Sequence, residues 1–324
     1  MIKAGTIIAA SGRRFAMGQY RQLLVLLTEV DRHSAALRRA LALVQVSGAA
    51  VHVLGLFEPV EEHTLQEERL NEEQILRQYS QFREQLAQML ERQRPSAIRL
   101  TFETVKSDDI RGQAIDYIAE FAPDMVIKDG DAVPALARLF NTPLDCALMR
   151  GVRGLTHFVP RSAPGLPKHV MVAVDTSLHD SEALQDIFNK ELIKVAQALA
   201  LQCDAQLHLL SAYDLTGVFV ADVNVAQAWV EELRETLQEP FETLADSQGV
   251  PPNRRYFVGG SPVQVIGEQV RALDIDVVVM GVVQPKGLDK LLGDTTERIV
   301  STLPCSVLAV HPDLVLTWEP TSCS

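Results

Sequence analysis

The chemistry open to this chain gathers in its second half, at Asp175 and in the stretch from Asp276 to His311. Val277 to Met280 is an unbroken apolar run that turns at Gly281, the pattern of a central parallel strand covered on both faces. Beyond it lie Lys286, Gly287 and Gly293, then Asp294-Thr295-Thr296-Glu297, and then a helix stopped by Leu303-Pro304 before a last short strand, Ser306 to Val310. Strand, glycine loop, helix N-terminus and strand form the geometry by which an open parallel sheet holds phosphates, since loop amides and helix dipole both face the carboxyl end of the strands. The same residues support a plainer reading. Asp294 and Glu297 have the spacing of a capping box, and a carboxylate that already occupies the helix field repels a polyphosphate beside it. Lys286 could offset that charge. Asp175 follows the apolar run Met171 to Val174, where a carboxylate can cap the next turn.

Other chemistries find little support. No nucleophile sits in a recognisable local motif, and no His, Cys and Asp cluster has zinc-like spacing. His52 and His208 recur at matching strand positions, which fits architecture better than metal ligation. Thirty basic against forty-two acidic residues give a net charge of -12, which argues against nucleic-acid or anionic-membrane binding. Cys146, Cys203, Cys305 and Cys323 form no Cys-x-x-Cys pair, a usage that suits reduced thiols and a cytoplasmic location. No apolar run approaches the ~18 to 20 residues that span a bilayer, so no membrane insertion is expected. Residues 1–16 are too weakly patterned for a secretory signal and read as a disordered extension, with Met17 as the natural start.

The elements that must position these residues occur twice. Leu23 to Leu27 is a strand, Asp31 to Ser47 a helix, Ala50 to Phe57 a strand and the charged segment Glu61 to Arg94 a helix. Ile98 to Val105 is the third strand, followed by a helix from Asp108-Asp109 to Phe121. Met125 to Lys128 is the fourth strand, Val133 to Phe140 a helix and Cys146 to Met149 a fifth strand. Ser34-Ala35-Ala36-Leu37 answers Ser181-Glu182-Ala183-Leu184, Val51-His52-Val53-Leu54 answers Leu207-His208-Leu209-Leu210, and Pro143-Leu144-Asp145-Cys146 answers Leu303-Pro304-Cys305. The chain is therefore two fused α/β units, each a five-stranded parallel sheet with helices on both faces. They are expected over 17–153 and 169–313, joined by a Gly- and Pro-rich linker at 154–168 and followed by a tail at 314–324.

The copies differ. Asp124 to Cys146 spans 22 residues where Asp276 to Cys305 spans 29, so the first copy lacks most of the phosphate-type loop. Leu37 to His52 spans 15 residues where Leu184 to His208 spans 24, an excess that contains Ile187 to Lys194.

The tail Glu297-Arg298-Ile299-Val300, Pro304-Cys305-Ser306-Val307-Leu308-Ala309-Val310 and the preceding loop resemble the last third of a universal stress protein domain. Nucleotide-binding members of that family carry Gly-x2-Gly-x9-Gly-Ser/Thr between the fourth and fifth strands. Here Gly281 fits the first glycine and Gln284 replaces the second. The third falls on Gly293 with the loop one residue short, or on Asp294 with Thr295 as the Ser/Thr. The two-copy layout with a lost first loop resembles tandem members of the family over nearly the whole chain after Met17.

The resemblance implies an adenine-nucleotide-hydrolase-like fold and a stress role exerted by binding, without catalysis and without a resident cofactor. It also implies that the acid after the first strand accepts from the adenine amino group. Asp175 takes that place in the second copy and Thr28 in the first, so ATP or AMP binding, if present, belongs to the second copy alone. A vestigial nucleotide site would comprise Asp175, Gly281, Lys286, Gly287, Gly293, Asp294 and Thr295. The apolar segment Leu215 to Ala226 overhangs the same cleft, so Val218, Phe219 and Val223 either cover the core or line a pocket for an apolar small molecule. In single-copy relatives the last strands of two subunits pair, so the two copies are expected to pair within one chain, with Ala147 to Met149 near Val307 to Val310.

Overall fold

The computed structural model describes residues 20–59, 72–95, 98–130, 144–177, 182–213, 223–282, 299 and 303–316. The first copy runs β1 (Gln22–Leu27), α1 (Ala35–Ser47), β2 (Ala50–Phe57), α2 (Glu72–Gln93), β3 (Leu100–Lys106), α3 (Ile110–Phe121), β4 (Met125–Asp129), α4 (Leu144–Gly151) and β5 (Leu155–Val159). The second runs β6 (His169–Val174), α5 (Glu182–Cys203), β7 (Gln206–Tyr213), α6 (Val223–Ser247), β8 (Arg255–Gly259), α7 (Pro262–Ala272), β9 (Val277–Gly281) and β10 (Ser306–Val310), with a short α8 (Asp313–Leu316) behind it.

All ten strands join one sheet in the order β3-β2-β1-β4-β5-β10-β9-β6-β7-β8. Every neighbouring pair is parallel except β5 and β10. Each half is thus a five-stranded parallel sheet, and the halves meet edge to edge. Central strands carry apolar residues on both faces because helices cover both, as with the fully buried Leu23, Leu24 and Val25 of β1 and Val277, Val278 and Val279 of β9. One apolar cluster runs without a break beneath both halves, while the opposite face holds a separate cluster for each.

Local signals fix the boundaries. Ser34 caps α1 by accepting from the Leu37 amide at 3.1 Å, and Gly48 ends it in the left-handed conformation at φ 71°. The repeat also shows in a matched pair of acids. Asp124 accepts from the amides of Arg21 and Gln22 at 2.7 and 2.8 Å, and Asp276 accepts from those of Lys168 and His169 at 2.7 and 3.0 Å. Each carboxylate ties the start of one central strand to the start of its neighbour.

One element differs from the sequence expectation. Cys146 to Met149 is not a strand but part of α4, because Leu144, Asp145, Leu148 and Met149 are the buried positions and a four-residue spacing puts them on one helical face. The fifth strand is Leu155–Val159, inside the stretch expected to be linker. It pairs with β10 in the register Leu155↔Val310, Thr156↔Ala309, His157↔Leu308 and Phe158↔Val307. The partner of Val307 to Val310 is therefore 155–158 and not 147–149. The expected helix from Val133 to Phe140, residues 1–16 and most of the tail after 313 lie outside the described residues.

His157 and Leu308 occupy equivalent places in the two copies and face each other across the seam. The His157 ring is fully enclosed, and burial, reinforced by the Arg39 guanidinium, holds its pKa well below the ordinary value. A histidine depressed in the folded state binds its proton more readily when unfolded. Its contribution is therefore complete above the unfolded pKa of about 6.5 and is lost as pH falls below it, at ~1.4 kcal/mol per pH unit. Burial also lowers His52, His208 and His311. Denaturant titrations between pH 7.5 and 5 should show this acid limb, and His157→Leu should make it shallower by one proton's share.

Candidate functional site

Strands β6 and β9 are parallel neighbours, with Ala173 paired to Met280, so Asp175 and Gly281 emerge at the same end of the sheet. This is the cleft where a phosphate loop would begin. The protein's own helix α5 stands over it. Helix α5 has 22 residues against 13 in α1, and the nine extra residues bring Phe188 and Asn189 onto the ends of both strands.

Phe188 rests on Gly281. A Cβ placed on that glycine would run into the ring's Cε1 and would stand 2.7 Å from Cζ, closer than real Cβ atoms approach. Asn189, only 3% exposed, grips the turn after β6. Its Nδ2 donates to the Asp175 carbonyl at 2.6 Å, and its Oδ1 accepts from the Asp175 amide at 3.3 Å and from Gln185 Nε2 at 3.2 Å. The exposed Asp175 carboxylate accepts from the Ser177 amide at 3.0 Å and from the Ser177 hydroxyl, which makes it the cap of its own turn. Thr176 Oγ1 reaches Ser211 Oγ on β7 at 3.0 Å.

The first copy shows what fills the same place when the loop is shorter. Strand register makes Asp129 the counterpart of Gly281, Lys128 that of Met280 and Thr28 that of Asp175. Asp129 Oδ1 accepts from the Ala36 amide at 2.8 Å, so a side-chain carboxylate occupies the anion position at the α1 N-terminus. Lys128 Nζ stands 3.0 Å from Asp145 and donates to the Asp129 carbonyl at 2.9 Å, with both charged side chains almost wholly buried. In the first copy the strand ends thus carry internal charge, whereas in the second a phenyl ring rests on them.

Of the residues singled out from sequence, Asp175 and Gly281 are thus brought to one cleft. Gln284, Lys286, Gly287, Gly293, Asp294 and Thr295 lie outside the described residues, as do Val218 and Phe219. Val223 opens α6, but its side chain also lies outside them. Sequence reasoning missed Asp129, Lys128, Phe188 and Asn189. The first two could have been found by aligning strand ends in place of loop lengths. Phe188 and Asn189 were visible as part of the excess length of α5, but nothing local said where that excess would lie.

Among the described residues no group of three or more His, Cys, Asp or Glu side chains could hold a metal ion, and no helix is long and apolar enough to cross a membrane. Matching histidines serve structure. His52 lies 2.7 Å from Thr101 Oγ1 and 2.8 Å from the Tyr117 hydroxyl, and His208 lies 3.3 Å from the Tyr256 hydroxyl. Burial raises the thiols of Cys203 and Cys305 to about 11 and about 12, which keeps them protonated and unreactive.

Residues 167–311, the whole second copy, match the family model described as the universal stress protein family. Universal stress protein E of Escherichia coli K12 is 25% identical over 314 residues, which cover 92% of this chain and 96% of that protein. A universal stress protein E homolog of Haemophilus influenzae is 27% identical over 195 residues, 58% of this chain and 62% of that one. A functionally unknown Pseudomonas aeruginosa protein shares the fold at a TM-score of 0.68 and 22% identity, covering 93% of this chain and 96% of its own. A universal stress protein from Archaeoglobus fulgidus does so at 0.62 and 14%, covering 90% and 97%. With two copies of the 3-2-1-4-5 sheet joined through their fifth strands, the chain has a second copy that matches the universal stress protein family over residues 167–311 and is similar over nearly its whole length to universal stress protein E.

Proposed function

We infer that this protein serves stress adaptation without catalysis, by binding a ligand or partner, and that its nucleotide-type cleft is degenerate in both copies. The contact of Phe188 with Gly281 carries this reading. A phosphate loop needs its first glycine so that a ligand can come close to the backbone, and here an aromatic ring has taken that approach. Asp129 and the Lys128–Asp145 pair support the same reading for the first copy. Antiparallel pairing of β5 with β10 covers two edges that would otherwise be open, which supports pairing of the copies within one chain.

A second reading places ATP or AMP in the second copy, and the exposed Asp175 carboxylate at the end of β6 favours it. Calorimetric titration separates the two. The first reading expects no saturable ATP or AMP binding tighter than a Kd of about 1 mM, which corresponds to roughly -4 kcal/mol. Micromolar binding abolished by Asp175→Ala would establish the second. Native mass spectrometry of the purified chain then identifies what it carries, an apolar small molecule included.

A further inference from the structure

On the outer edge of the first copy, far along the sheet from Gly281, four side chains form one hydrogen-bonded chain. Strand β3 ends the sheet, and His52 of β2 pairs directly with Thr101 of β3, so their side chains leave the same face, as does that of Glu103 two residues on. Helix α3 lays Tyr117 and Phe121, four residues apart on one side of the helix, against that face. His52 Nδ1 lies 2.7 Å from Thr101 Oγ1, His52 Nε2 lies 2.8 Å from the Tyr117 hydroxyl, and that hydroxyl donates to Glu103 Oε2 at 3.0 Å. The last bond sets the direction of the others. An ionised Glu103 only accepts, so the single phenolic proton points to it, and the Nε2–H of His52 donates to the Tyr117 oxygen. Nδ1 then carries the lone pair and accepts from the Thr101 hydroxyl. Burial and the bond to Glu103 push the Tyr117 hydroxyl up to about 12, which keeps its proton in place. Burial lowers His52 in spite of Glu103, so the ring is a neutral base at neutral pH.

The second copy shows that the fold does not require this chain. Its matching histidine is His208, and extending the register of β7 with β8 puts Arg254 where Thr101 stands and Tyr256 where Glu103 stands. A hydroxyl held by a neutral imidazole, with the far side of the ring oriented by a third group, is the arrangement that activates an oxygen nucleophile. Thr101 is also exposed, so a reactant can reach it. We propose that Thr101 is a covalent modification site, an acyl acceptor for small uncharged activated esters, with His52 as its general base and Tyr117 and Glu103 as positioning residues. Thr101 Oγ bonds to the acyl carbon as the ester C–O bond breaks. The Thr101 proton passes to His52 Nδ1 and from there to the departing oxygen, which leaves the ring neutral again. The carboxylate of Glu103 beside the hydroxyl disfavours anionic acyl donors.

The test treats the full chain with p-nitrophenyl acetate at neutral pH, quenches it in acid and reads acetylation residue by residue by mass spectrometry. Thr236 is an internal control, exposed like Thr101 but with its hydroxyl donated to the Glu232 carbonyl at 2.8 Å. Thr101 should be acetylated about a hundredfold faster than Thr236, the lower end of what a positioned base contributes. His52→Gln should remove that advantage, and Thr101→Ser should keep it. Nitrogen NMR of the imidazole should find His52 protonated at Nε2, and Tyr117→Phe should both weaken that preference and slow Thr101, where a merely structural hydroxyl would move neither. Two of these measurements need only the parent chain. Thr101 reacting no faster than Thr236, a rate unchanged in His52→Gln, or a neutral His52 protonated at Nδ1 would each overturn the proposal.

Discussion

Replacing Lys128 by methionine is expected to lower the stability of the first copy by about 3 to 5 kcal/mol, the usual cost of removing one member of a buried ion pair. Lys128 and Asp145 are 3% and 7% exposed by side chain and stand 3.0 Å apart at the end of β4. Methionine fits the position sterically, since Met280 is the residue there in the second copy and is itself buried. The loss is therefore electrostatic and not a matter of volume. At roughly 2 to 4 °C per kcal/mol, scanning calorimetry should show the melting midpoint fall by about 6 to 20 °C. Lys128→Met with Asp145→Leu should recover most of the loss, because removing both charges removes the desolvation as well as the attraction. A single variant that melts like the parent would mean that Asp145 finds another counter-charge when the lysine is gone. The pair would then be dispensable, and closure of the first cleft would rest on Asp129 alone.

How far the sequence revealed this arrangement depended on whether a residue's role was local. The repeat was legible because its marks lie at fixed offsets within strands, as with Val51-His52-Val53-Leu54 against Leu207-His208-Leu209-Leu210, and the fold follows from it. The fifth strand of the first copy was hidden. Thr156 and His157 look like solvent-facing residues between glycines and prolines, yet both are buried because the second copy covers them. Cys146 to Met149 was mistaken for that strand because an apolar run of four residues has no period long enough to separate strand from helix. At the site, Asp175 and Gly281 were legible as strand ends. Asp129 was not, since comparing the copies by loop length conceals a carboxylate that stands in register with a glycine. Phe188 was the least accessible to sequence reasoning, because its role depends on the direction in which nine additional helical residues project.

The contact between Phe188 and Gly281 makes the most discriminating prediction. Gly281 is not among the described glycines with positive φ, so its backbone would accept alanine, and the objection to a side chain there is steric. Gly281→Ala in the parent chain should cost about 1 to 3 kcal/mol, as overpacking does where a ring must move. In a Phe188→Ala background the same change should cost little, and the difference between the two is the coupling that a double-mutant cycle measures. Independent, additive costs would mean that the ring does not seal the cleft, and the case for a closed site would fail with it. Opening the cleft alone is not expected to create nucleotide affinity, because Gln284 and Asp294 still occupy the loop. Phe188→Ala combined with Gln284→Gly and Asp294→Ser removes the ring, restores a glycine and deletes a like charge. Deleting a like charge that disfavours a phosphate by one pKa unit's worth gains ~1.4 kcal/mol, so ATP affinity should rise about tenfold over the parent. Adding Asp175→Ala should then return part of that gain if the carboxylate can leave its turn to accept from adenine. If the triple variant gains nothing, the cleft is closed by more than these three residues, and the binding function must be sought elsewhere on the molecule.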